Sequence, residues 1–268
     1  MIAQATAILK TKPATEWSEM CTVLFDRSLS ILTKNRDKTE NTPEAIVQTA
    51  EILAVLAKGA SYFSLGINKN GCAFVSTAVN TVAWTHAASQ GHLVEAKLIA
   101  DDDNRDLKSP TDFISRSFHC YESVKAIEES IAVESANTRW VGYNLVLVDR
   151  NEAFVLELHD QKMFKRTLDA KDVITNHFLE LNHGPRTYQD YPSTFDRYKS
   201  CKERLPGSQT VGDYESILAI RDESECPDIW RKGKFFTVSS SILDLTDLSL
   251  SHRESPTQPY RRFRLTQE

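Results

Sequence analysis

The chain contains 268 residues, of which 41% are hydrophobic and 26% are charged. This length suits one large domain or two small ones, and this composition argues against a disordered chain, a collagen, a coiled coil or a repeat array. The formal net charge of −5 argues against nucleic acid as a partner, because that binding needs clustered Lys and Arg. Apolar runs fall far short of the roughly 18–20 residues that cross a bilayer, so no membrane partner is expected.

The cysteines and the first residues indicate the compartment and the start of the working chain. The five cysteines are odd in number and show no C-x-x-C spacing, so free thiols in a reducing compartment, the cytoplasm, are expected. Residues 1–20 lack the apolar stretch and cleavage site of a secretory signal. Residues 1–20 are therefore not a recognisable secretory signal. We expect them to be a leader of another kind, either a propeptide or an upstream start, and we expect residues 21–268 to form a single domain.

The first predicted elements are a β-hairpin and a helix. Residues 21–25 and 29–33 are short β-prone runs with a polar turn between them, which is typical of a hairpin. The stretch from Thr42 to Ala57 begins with a capping hydroxyl followed by Pro and Glu, and it continues with Ala, Ile, Leu and Val. We therefore expect a helix over residues 42–57.

The rest of the chain alternates hairpins and helices. Asn70-Gly71 is the strongest turn signal and predicts a hairpin between residues 62–67 and 73–79. The acidic run 101–106 lacks the register of a calcium loop, so we interpret it as a solvated connection. The other predicted elements are a hairpin of 142–148 with 153–158, helices at 113–133, 195–205 and 214–220, and strands at 173–175, 234–242 and 260–265.

Hairpins interleaved with helices indicate the fold class. Strands that are joined by tight turns are antiparallel, and each sheet needs a cover for its apolar face. The motifs G-x-G-x-x-G, G-x-x-x-x-G-K-[ST], H-E-x-x-H and G-x-S-x-G are absent from the sequence, which removes the main support for nucleotide-binding, zincin and α/β-hydrolase interpretations. The sequence therefore predicts an α+β protein with layered antiparallel sheets and helices outside.

Cys21 follows Met20 at the first position of the first predicted strand. If the bond between Met20 and Cys21 is cleaved, Cys21 carries both a thiol and a free α-amine. An α-amine titrates near ~8 and a thiol near ~8.5, so the amine can accept the thiol proton without a histidine. This is the chemistry of an N-terminal nucleophile. The alternative is that Cys21 is a small buried hydrophobic residue.

Five short motifs occur in one order along the chain. They are Cys21-Thr22, Asn35-Arg36-Asp37, residues 66–73 followed by Asn80, the strand pair 144–149 and 153–157, and Thr175-Asn176-His177-Phe178. Together they resemble the cysteine-type N-terminal-nucleophile (Ntn) hydrolases, most closely the acyl-coenzyme A:6-aminopenicillanic acid acyltransferase-like branch of the linear amide C–N hydrolases. Penicillin V acylase and bile salt hydrolases are relatives of that branch. The resemblance implies a four-layer αββα sandwich of two antiparallel sheets.

The resemblance also implies a role for each matching residue. Cys21 would be the nucleophile with its own amine as the base, and Asp37 would accept hydrogen bonds from that amine. The backbone N–H of Asn80 and the side-chain amide of Asn176 would form the oxyanion hole. The implied substrate is a small acyl amide or an acyl thioester, which undergoes hydrolysis or acyl transfer without a metal or organic cofactor. Assembly into a homo-oligomer is left open.

One position departs from the family pattern. Lys34 stands where the family usually has Arg, and an ammonium cannot reproduce a planar guanidinium fork. Either Arg36 substitutes for that arginine, or the electrostatic partner of the nucleophile differs. Further candidates for the substrate side are His177 and the aromatic residues Tyr62, Phe63, Trp84, Trp140, Tyr143 and Phe178, which are equally typical of a core.

Three other interpretations stay open at this point. Cys21, His177 and Asn182 follow the order of papain-like proteases, but that arrangement needs the cysteine at a helix start. His177 and His183 form an H-x5-H pair without further metal ligands nearby. The opening also resembles the transport-and-Golgi-organisation family, whose Gly-Gly-Thr-Trp element is missing. A chain that retains residues 1–20 would be an inactive precursor or a binding module on a hydrolase scaffold.

Overall fold

The computed structural model describes residues 20–38, 41–57, 59–79, 107–182, 192–221, 229–232 and 236–265. The strands in these ranges are β1 Met20–Asp26, β2 Ile31–Lys38, β3 Glu44–Gln48, β4 Ile52–Ala57, β5 Phe63–Asn68, β6 Ala73–Ala78, β7 Leu107–Lys108, β8 Arg139–Val148, β9 Ala153–Asp160, β10 Lys162–Thr167, β11 Lys171–Ile174, β12 Phe236–Asp244, β13 Ser249–Arg253 and β14 Arg261–Arg264. The helices are α1 Pro110–Ser117, α2 Val124–Ser135, α3 Pro192–Arg204 and α4 Val211–Leu218, with 3₁₀ turns at Phe118–Cys120 and Leu205–Gly207.

The strands form two sheets. Sheet A has six strands in the order β11-β1-β2-β12-β13-β14. Sheet B has eight strands, seven of which follow the order β10-β9-β8-β6-β5-β4-β3. All pairs are antiparallel except that the two-residue β7 runs parallel to β8. The first strand of the chain therefore lies inside sheet A, between β11 and β2.

The apolar faces of the two sheets pack against each other. Successive side chains of a strand point to opposite faces, so each central strand contributes one face to this layer and one to a helix layer. The core between the sheets contains Val23, Phe25 and Leu32 from sheet A, and Leu53, Val55, Leu65, Ile67, Val75, Val146 and Val155 from sheet B.

Helices cover both outer faces. Helices α1 and α2 cover sheet B, where Ile114, Phe118, Val124, Ile127 and Ile131 pack on Phe74, Trp140, Leu145, Leu147, Phe154, Leu156 and Leu158. Helices α3 and α4 cover sheet A, where Cys201, Tyr214, Ile217 and Leu218 pack on Leu24, Ile31, Val173 and Ile242. The predicted four-layer αββα sandwich is therefore confirmed. No helix within the described ranges is both long enough and apolar enough to span a bilayer.

Most of the predicted elements are confirmed. The three predicted hairpins correspond to β1–β2, β5–β6 and β8–β9, and Gly71 adopts a φ of 79° in the β5–β6 turn, as expected for an Asn-Gly signal. The helix expected at residues 113–133 is present as α1 and α2, which the 3₁₀ turn separates. Strands β7, β10 and β13 were not predicted. The acidic run 101–106 lies outside the described residues.

The predicted helix over residues 42–57 is wrong, because these residues form the β3–β4 hairpin. Thr49 closes its turn: the backbone N of Thr49 donates to the carbonyl of Ile52 at 2.9 Å, and its Oγ1 accepts from the backbone N of Glu51 and Ile52, both at 3.1 Å. Leu53 is buried between the sheets. Helix propensity differs by less than ~1 kcal/mol per residue, so burial of β4 within a sheet outweighs it.

Asn68 ties the β5–β6 hairpin to the helix layer over sheet B. Its side chain is fully buried, and its Nδ2 donates to the carbonyls of Phe118 and Tyr121 at 2.9 and 2.8 Å. Its Oδ1 accepts from the backbone N of Asn70 and Cys72, both at 3.0 Å. Asn68 is therefore a turn residue, as the sequence indicates, and it also anchors the helix layer.

Substitution of Asn68 tests this anchor. We expect Asn68→Ala to lower the free energy of unfolding by about 2–3 kcal/mol, because it leaves buried donors and acceptors without partners. Asn70→Ala is the matched control and should cost less than about 1 kcal/mol, because Asn70 is exposed and donates one side-chain bond to Tyr121. Urea unfolding measures both values, and equal losses in the two variants would contradict the anchoring role.

Candidate active site

Cys21 is the second residue of β1 and is fully buried. It shares a strand face with Val23 and Phe25, which belong to the core between the sheets, whereas Leu24 faces the helix layer. The thiol of Cys21 therefore lies on the intersheet face of sheet A. Arg36 of β2 is its direct cross-strand partner.

Asn176 lies two residues beyond the end of β11 and contacts the backbone of Cys21. Its Oδ1 accepts from the backbone N of Cys21 and from Nη2 of Arg197, both at 2.9 Å. Its Nδ2 donates to the carbonyl of Ala78 at 2.8 Å, and its backbone N donates to Oγ1 of Thr194 at 2.8 Å. The side chain of Asn176 thus joins β1 of sheet A to the end of β6 in sheet B.

Two buried residues of sheet B hold the loop that carries Asn176. Nδ2 of Asn144 donates to the carbonyls of Thr175 and His177 at 3.0 and 2.9 Å. The carboxylate of Glu157 accepts from three successive backbone N–H groups, those of residues 179–181, at 2.7, 2.9 and 2.7 Å. The position of Asn176 is therefore fixed from both sheets.

Asp37 is fully buried near the end of β2, opposite Met20. Its Oδ1 accepts from Oγ1 of Thr237 at 2.6 Å. Its Oδ2 lies 3.9 Å from Nη1 of Arg231 and has no hydrogen-bond partner among the described residues. Burial raises the pKa of the Asp37 carboxyl, although the charges of nearby arginines and of Lys34 oppose that rise.

The hydrogen bond that was expected between Asp37 and the nitrogen of Cys21 is not among the contacts described for the continuous chain. In the continuous chain this nitrogen is a backbone amide, and it donates to Asn176. The register of β1 and β2 nevertheless brings Asp37 to the strand position that precedes Cys21.

Lys34 and Arg36 are buried on the intersheet face of β2, beside Cys21. The guanidinium of Arg36 forms an ion pair with the buried carboxylate of Glu44 in sheet B, so its charge is neutralised. Burial opposes ionisation of Glu44, but the charge of Arg36 and a hydrogen bond from Ser239 hold the pKa of that carboxyl below its usual value. Nζ of Lys34 donates to a backbone carbonyl at 3.3 Å and forms no ion pair within the described part of the chain.

Several other candidate residues take part in the packing of the protein interior. Trp140 is not a pocket residue: its Nε1 donates to Oγ of Ser135 at 2.7 Å, and its ring packs edge-on against Phe113 in the outer helix layer. The ring of His177 stacks on Phe195 at 4.4 Å, and its Nδ1 lies 3.0 Å from Oγ1 of Thr175. The remaining aromatic candidates that the structure describes, Tyr62, Phe63, Tyr143 and Phe178, are buried or half-buried.

The two chemical alternatives gain no support. Cys21 lies in a strand, so the papain-like interpretation, which needs it at a helix start, is wrong. Within the described ranges, no group of three or more His, Cys, Asp or Glu side chains is placed to hold a metal ion. Asn80, Trp84 and His183 lie outside the described residues.

The sequence analysis missed Arg197, Arg231, Thr237 and the role of Glu44. Glu44 was assigned to a helix that does not exist, and Thr237 is 200 positions from Asp37. A signal for Arg197 was available, because Thr194, Arg197 and Cys201 share one buried face of α3 at helical spacing. A basic residue on the buried face of a helix indicates a buried partner.

Comparisons with known proteins support the fold. No family model matches the sequence, and no curated protein matches it. Conjugated bile acid hydrolase from Clostridium perfringens matches with a TM-score of 0.51 and 10% identity over 92% of each chain. Penicillin V acylase from Agrobacterium tumefaciens matches with a TM-score of 0.50 and 11% identity over 91% of this chain and 86% of that one.

A third solved structure is the N-acylethanolamine-hydrolyzing acid amidase ortholog of Caenorhabditis elegans. It matches with a TM-score of 0.58 and 11% identity over 84% of this chain and 92% of its own. At these identities the likeness concerns the fold alone. The fold is the Ntn-hydrolase sandwich, and two of these neighbours bear the names of relatives that the sequence motifs indicate.

Asp37 and Asp172 are buried carboxyls whose pKa values shift in opposite directions. Burial acts against ionisation of Asp172, but ion pairs with Arg166 at 2.7 Å and Lys202 at 2.9 Å lower its pKa below 3.8. Burial dominates at Asp37, and the pKa of that carboxyl is raised. The two residues therefore form a matched pair for a pH experiment.

We expect the two carboxyls to affect stability with opposite signs. Since the folded protein holds the Asp37 proton more tightly than the unfolded chain, stability is lost as pH rises from 3.8 through the folded pKa. Asp37→Asn mimics the protonated carboxyl, so in the chain that continues through Met20 it should raise the Tm at pH 7 and lose this advantage near pH 4. Asp172→Asn should lower the Tm at pH 7, and its deficit should shrink only below pH 3.8. Thermal unfolding from pH 3 to 8 measures both, and a lower Tm for Asp37→Asn at pH 7 would contradict the assignment.

Proposed function

We propose that this chain is an amidohydrolase or acyltransferase that acts on a linear, non-peptide amide or an acyl thioester through an acyl-enzyme on Cys21. The observation that carries the proposal is that Cys21 near the start of β1, Asn176 just after β11 and the buried Asp37 near the end of β2 lie at one place in the fold. These residues are a nucleophile, an amide donor and a carboxylate in one buried place.

The proposal requires cleavage between Met20 and Cys21. An amide nitrogen cannot accept the thiol proton, whereas the α-amine of a new terminus can. Asn176 Oδ1, now 2.9 Å from this nitrogen, would remain its acceptor. Oδ2 of Asp37 is a buried oxygen without a hydrogen-bond partner among the described residues, and such an oxygen is energetically costly. A free α-amino group beside it would supply a donor, which supports processing at this bond.

The reaction follows from these groups. Sγ of Cys21 would attack the acyl carbon while its proton passes to the α-amine. The resulting oxyanion would be bound by Nδ2 of Asn176, while the backbone N–H of Asn80 stays a predicted second donor. The carbon–nitrogen bond would then break as the leaving amine takes the proton, and the acyl group would remain on Cys21 as a thioester. Water or an acceptor amine would release the acyl group and regenerate the thiol.

Charge at the site supports a thiolate nucleophile. Arg36 is neutralised by Glu44, whereas Lys34 is buried on the same strand face as Cys21 without an ion pair in the described ranges. Cations near a thiol favour its thiolate form. We therefore propose that Lys34, rather than Arg36, is the electrostatic partner of the nucleophile.

The neighbours support the reaction class. The names of the three solved structures describe a hydrolase of conjugated bile acid, an acylase of penicillin V and an amidase of N-acylethanolamine. All three names describe reactions of small molecules. We extend only this general class, a small acyl substrate, to the present chain.

Intact-mass measurement of the purified protein tests the processing step. We expect a mass that begins at Cys21, and we expect Cys21→Ala to retain residues 1–20, because the variant has no thiol to attack the preceding carbonyl. Cys72→Ala is the matched control, because burial raises the pKa of the Cys72 thiol to about 12 and makes it a poor nucleophile. It should be processed like the wild type. A wild-type chain that retains residues 1–20 would favour the inactive precursor.

Acyl transfer to Cys21 tests the chemical step. Incubation with a panel of acyl amides and acyl thioesters should add one acyl mass to Cys21 in the wild type and in Cys72→Ala, but not in Cys21→Ala. Asn176→Ala should lower kcat by ~10²–10³, the usual loss for one oxyanion donor. Tight binding of a panel member without any adduct or turnover would overturn the enzyme assignment and favour a binding module.

A further inference from the structure

Arg197 is a fully buried arginine of α3 that belongs to none of the sequence motifs. Its Nη1 donates to the carbonyl of Cys21 at 2.7 Å and to Oγ1 of Thr22 at 2.8 Å. Its Nη2 donates to Oδ1 of Asn176 at 2.9 Å, and its Nε donates to the carbonyl of Ser193 at 3.1 Å. One guanidinium therefore contacts both the nucleophile's backbone and the amide proposed for the oxyanion hole.

We infer that Arg197 is a positioning residue that locks the side-chain amide of Asn176 with its nitrogen toward sheet B and its oxygen toward α3. The inference deepens the proposed function and rests on it for the catalytic consequence. It assigns Arg197 no contact with substrate. The orientation itself is a property of the folded chain that can be measured without a substrate.

The chemistry of the partners fixes the orientation. Arginine only donates hydrogen bonds, and a backbone carbonyl only accepts them. Oδ1 of Asn176 faces Arg197, and Nδ2 faces the carbonyl of Ala78. A flipped amide would place two donors together at Arg197 and two acceptors together at Ala78. Both contacts of the flipped form would be repulsive.

Cleavage between Met20 and Cys21 would make Arg197 more important for the orientation of the Asn176 amide. In the continuous chain the backbone N–H of Cys21 is a second donor to Oδ1 of Asn176. After cleavage this nitrogen would be an amine, which can accept a hydrogen bond as well as donate one. Of the two Oδ1 contacts described above, only the one from Arg197 would then be restricted to donating. Its guanidinium at Oδ1, together with the carbonyl of Ala78 at Nδ2, would then keep the amide from flipping.

A lysine cannot replace this arrangement. The guanidinium reaches the carbonyl of Cys21 and Oδ1 of Asn176 with two different nitrogens. An ammonium has a single nitrogen and no planar fork. Helix α3 also holds the backbone of Asn176 through Thr194, so the helix fixes both parts of this residue.

The first experiment measures the amide directly. In ¹⁵N-labelled protein, the side-chain NH₂ signals of Asn176 are assigned by their absence in Asn176→Ala, and their hydrogen exchange is measured. We expect slow exchange in the wild type, exchange ~10-fold or more faster in Arg197→Met because a charge-assisted bond is lost, and an intermediate rate in Arg197→Lys. Unchanged exchange in Arg197→Met would overturn the inference.

Arg253→Met is the matched control. Arg253 is also a buried arginine, and its guanidinium donates to the carbonyls of Pro256 and Glu215, both at 3.2 Å, away from Asn176. The variant removes a buried guanidinium and should leave the exchange of the Asn176 amide unchanged. Equal acceleration in both variants would assign the effect to general loosening of the fold and overturn the specific role.

The second experiment is a double-mutant cycle in turnover. Arg197→Met should lower kcat by ~10²-fold with little change in KM, and the double variant Arg197→Met/Asn176→Ala should be no slower than Asn176→Ala alone, because residues that act as a unit are not additive. Losses that multiply would overturn the inference. If the wild type shows no turnover, the proposed function fails, and the exchange measurement still decides whether Arg197 orients Asn176.

Discussion

The side-chain amide of Asn176 is the interaction on which the candidate site depends, because it joins the two sheets at Cys21, the proposed nucleophile. The apolar faces of the two sheets also pack against each other in the intersheet core. The amide adds a fixed relation between the backbone of Cys21 and the carbonyl of Ala78, through bonds of 2.9 and 2.8 Å. A reaction at Cys21 needs such a relation, because a donor that is misplaced by about 1 Å loses much of its effect on a transition state.

The supports of Asn176 come from two layers. Asn144 and Glu157 of sheet B hold the flanking backbone, and Arg197 with Thr194 holds the residue from helix α3. These supports are buried and polar, so they contribute little to net stability compared with apolar side chains of equal size. These supports act on the geometry of the site. A fully hydrogen-bonded polar network specifies one arrangement of its side chains, whereas an apolar core tolerates several arrangements.

The fold was more predictable than the site. Hairpins with strong turn signals, such as Asn70-Gly71, and strands with clear alternation are local features, and the sequence locates them correctly. The β3–β4 hairpin was missed because its Ala- and Glu-containing sequence also suits a helix, and only pairing with β5 decides between the two. At the site, Cys21, Asp37 and Asn176 lie within motifs, and Lys34 was identified as a departure. The helical spacing of Arg197 with Thr194 and Cys201 indicates a buried face, but its partners are 21 and 176 positions away, and no local pattern identifies them.

The covalent state of the Cys21 nitrogen connects these observations. While the chain is continuous, this nitrogen is satisfied by Asn176, and Oδ2 of Asp37 has no hydrogen-bond partner among the described residues. The raised pKa of Asp37 agrees with this lack of a partner, since burial favours the neutral form of the carboxyl despite three nearby cations. Once a new α-amine has taken the thiol proton, it would bring one positive charge to the buried carboxylate and would favour its ionised form. This balance of charge is therefore an argument for the proposed cleavage between Met20 and Cys21.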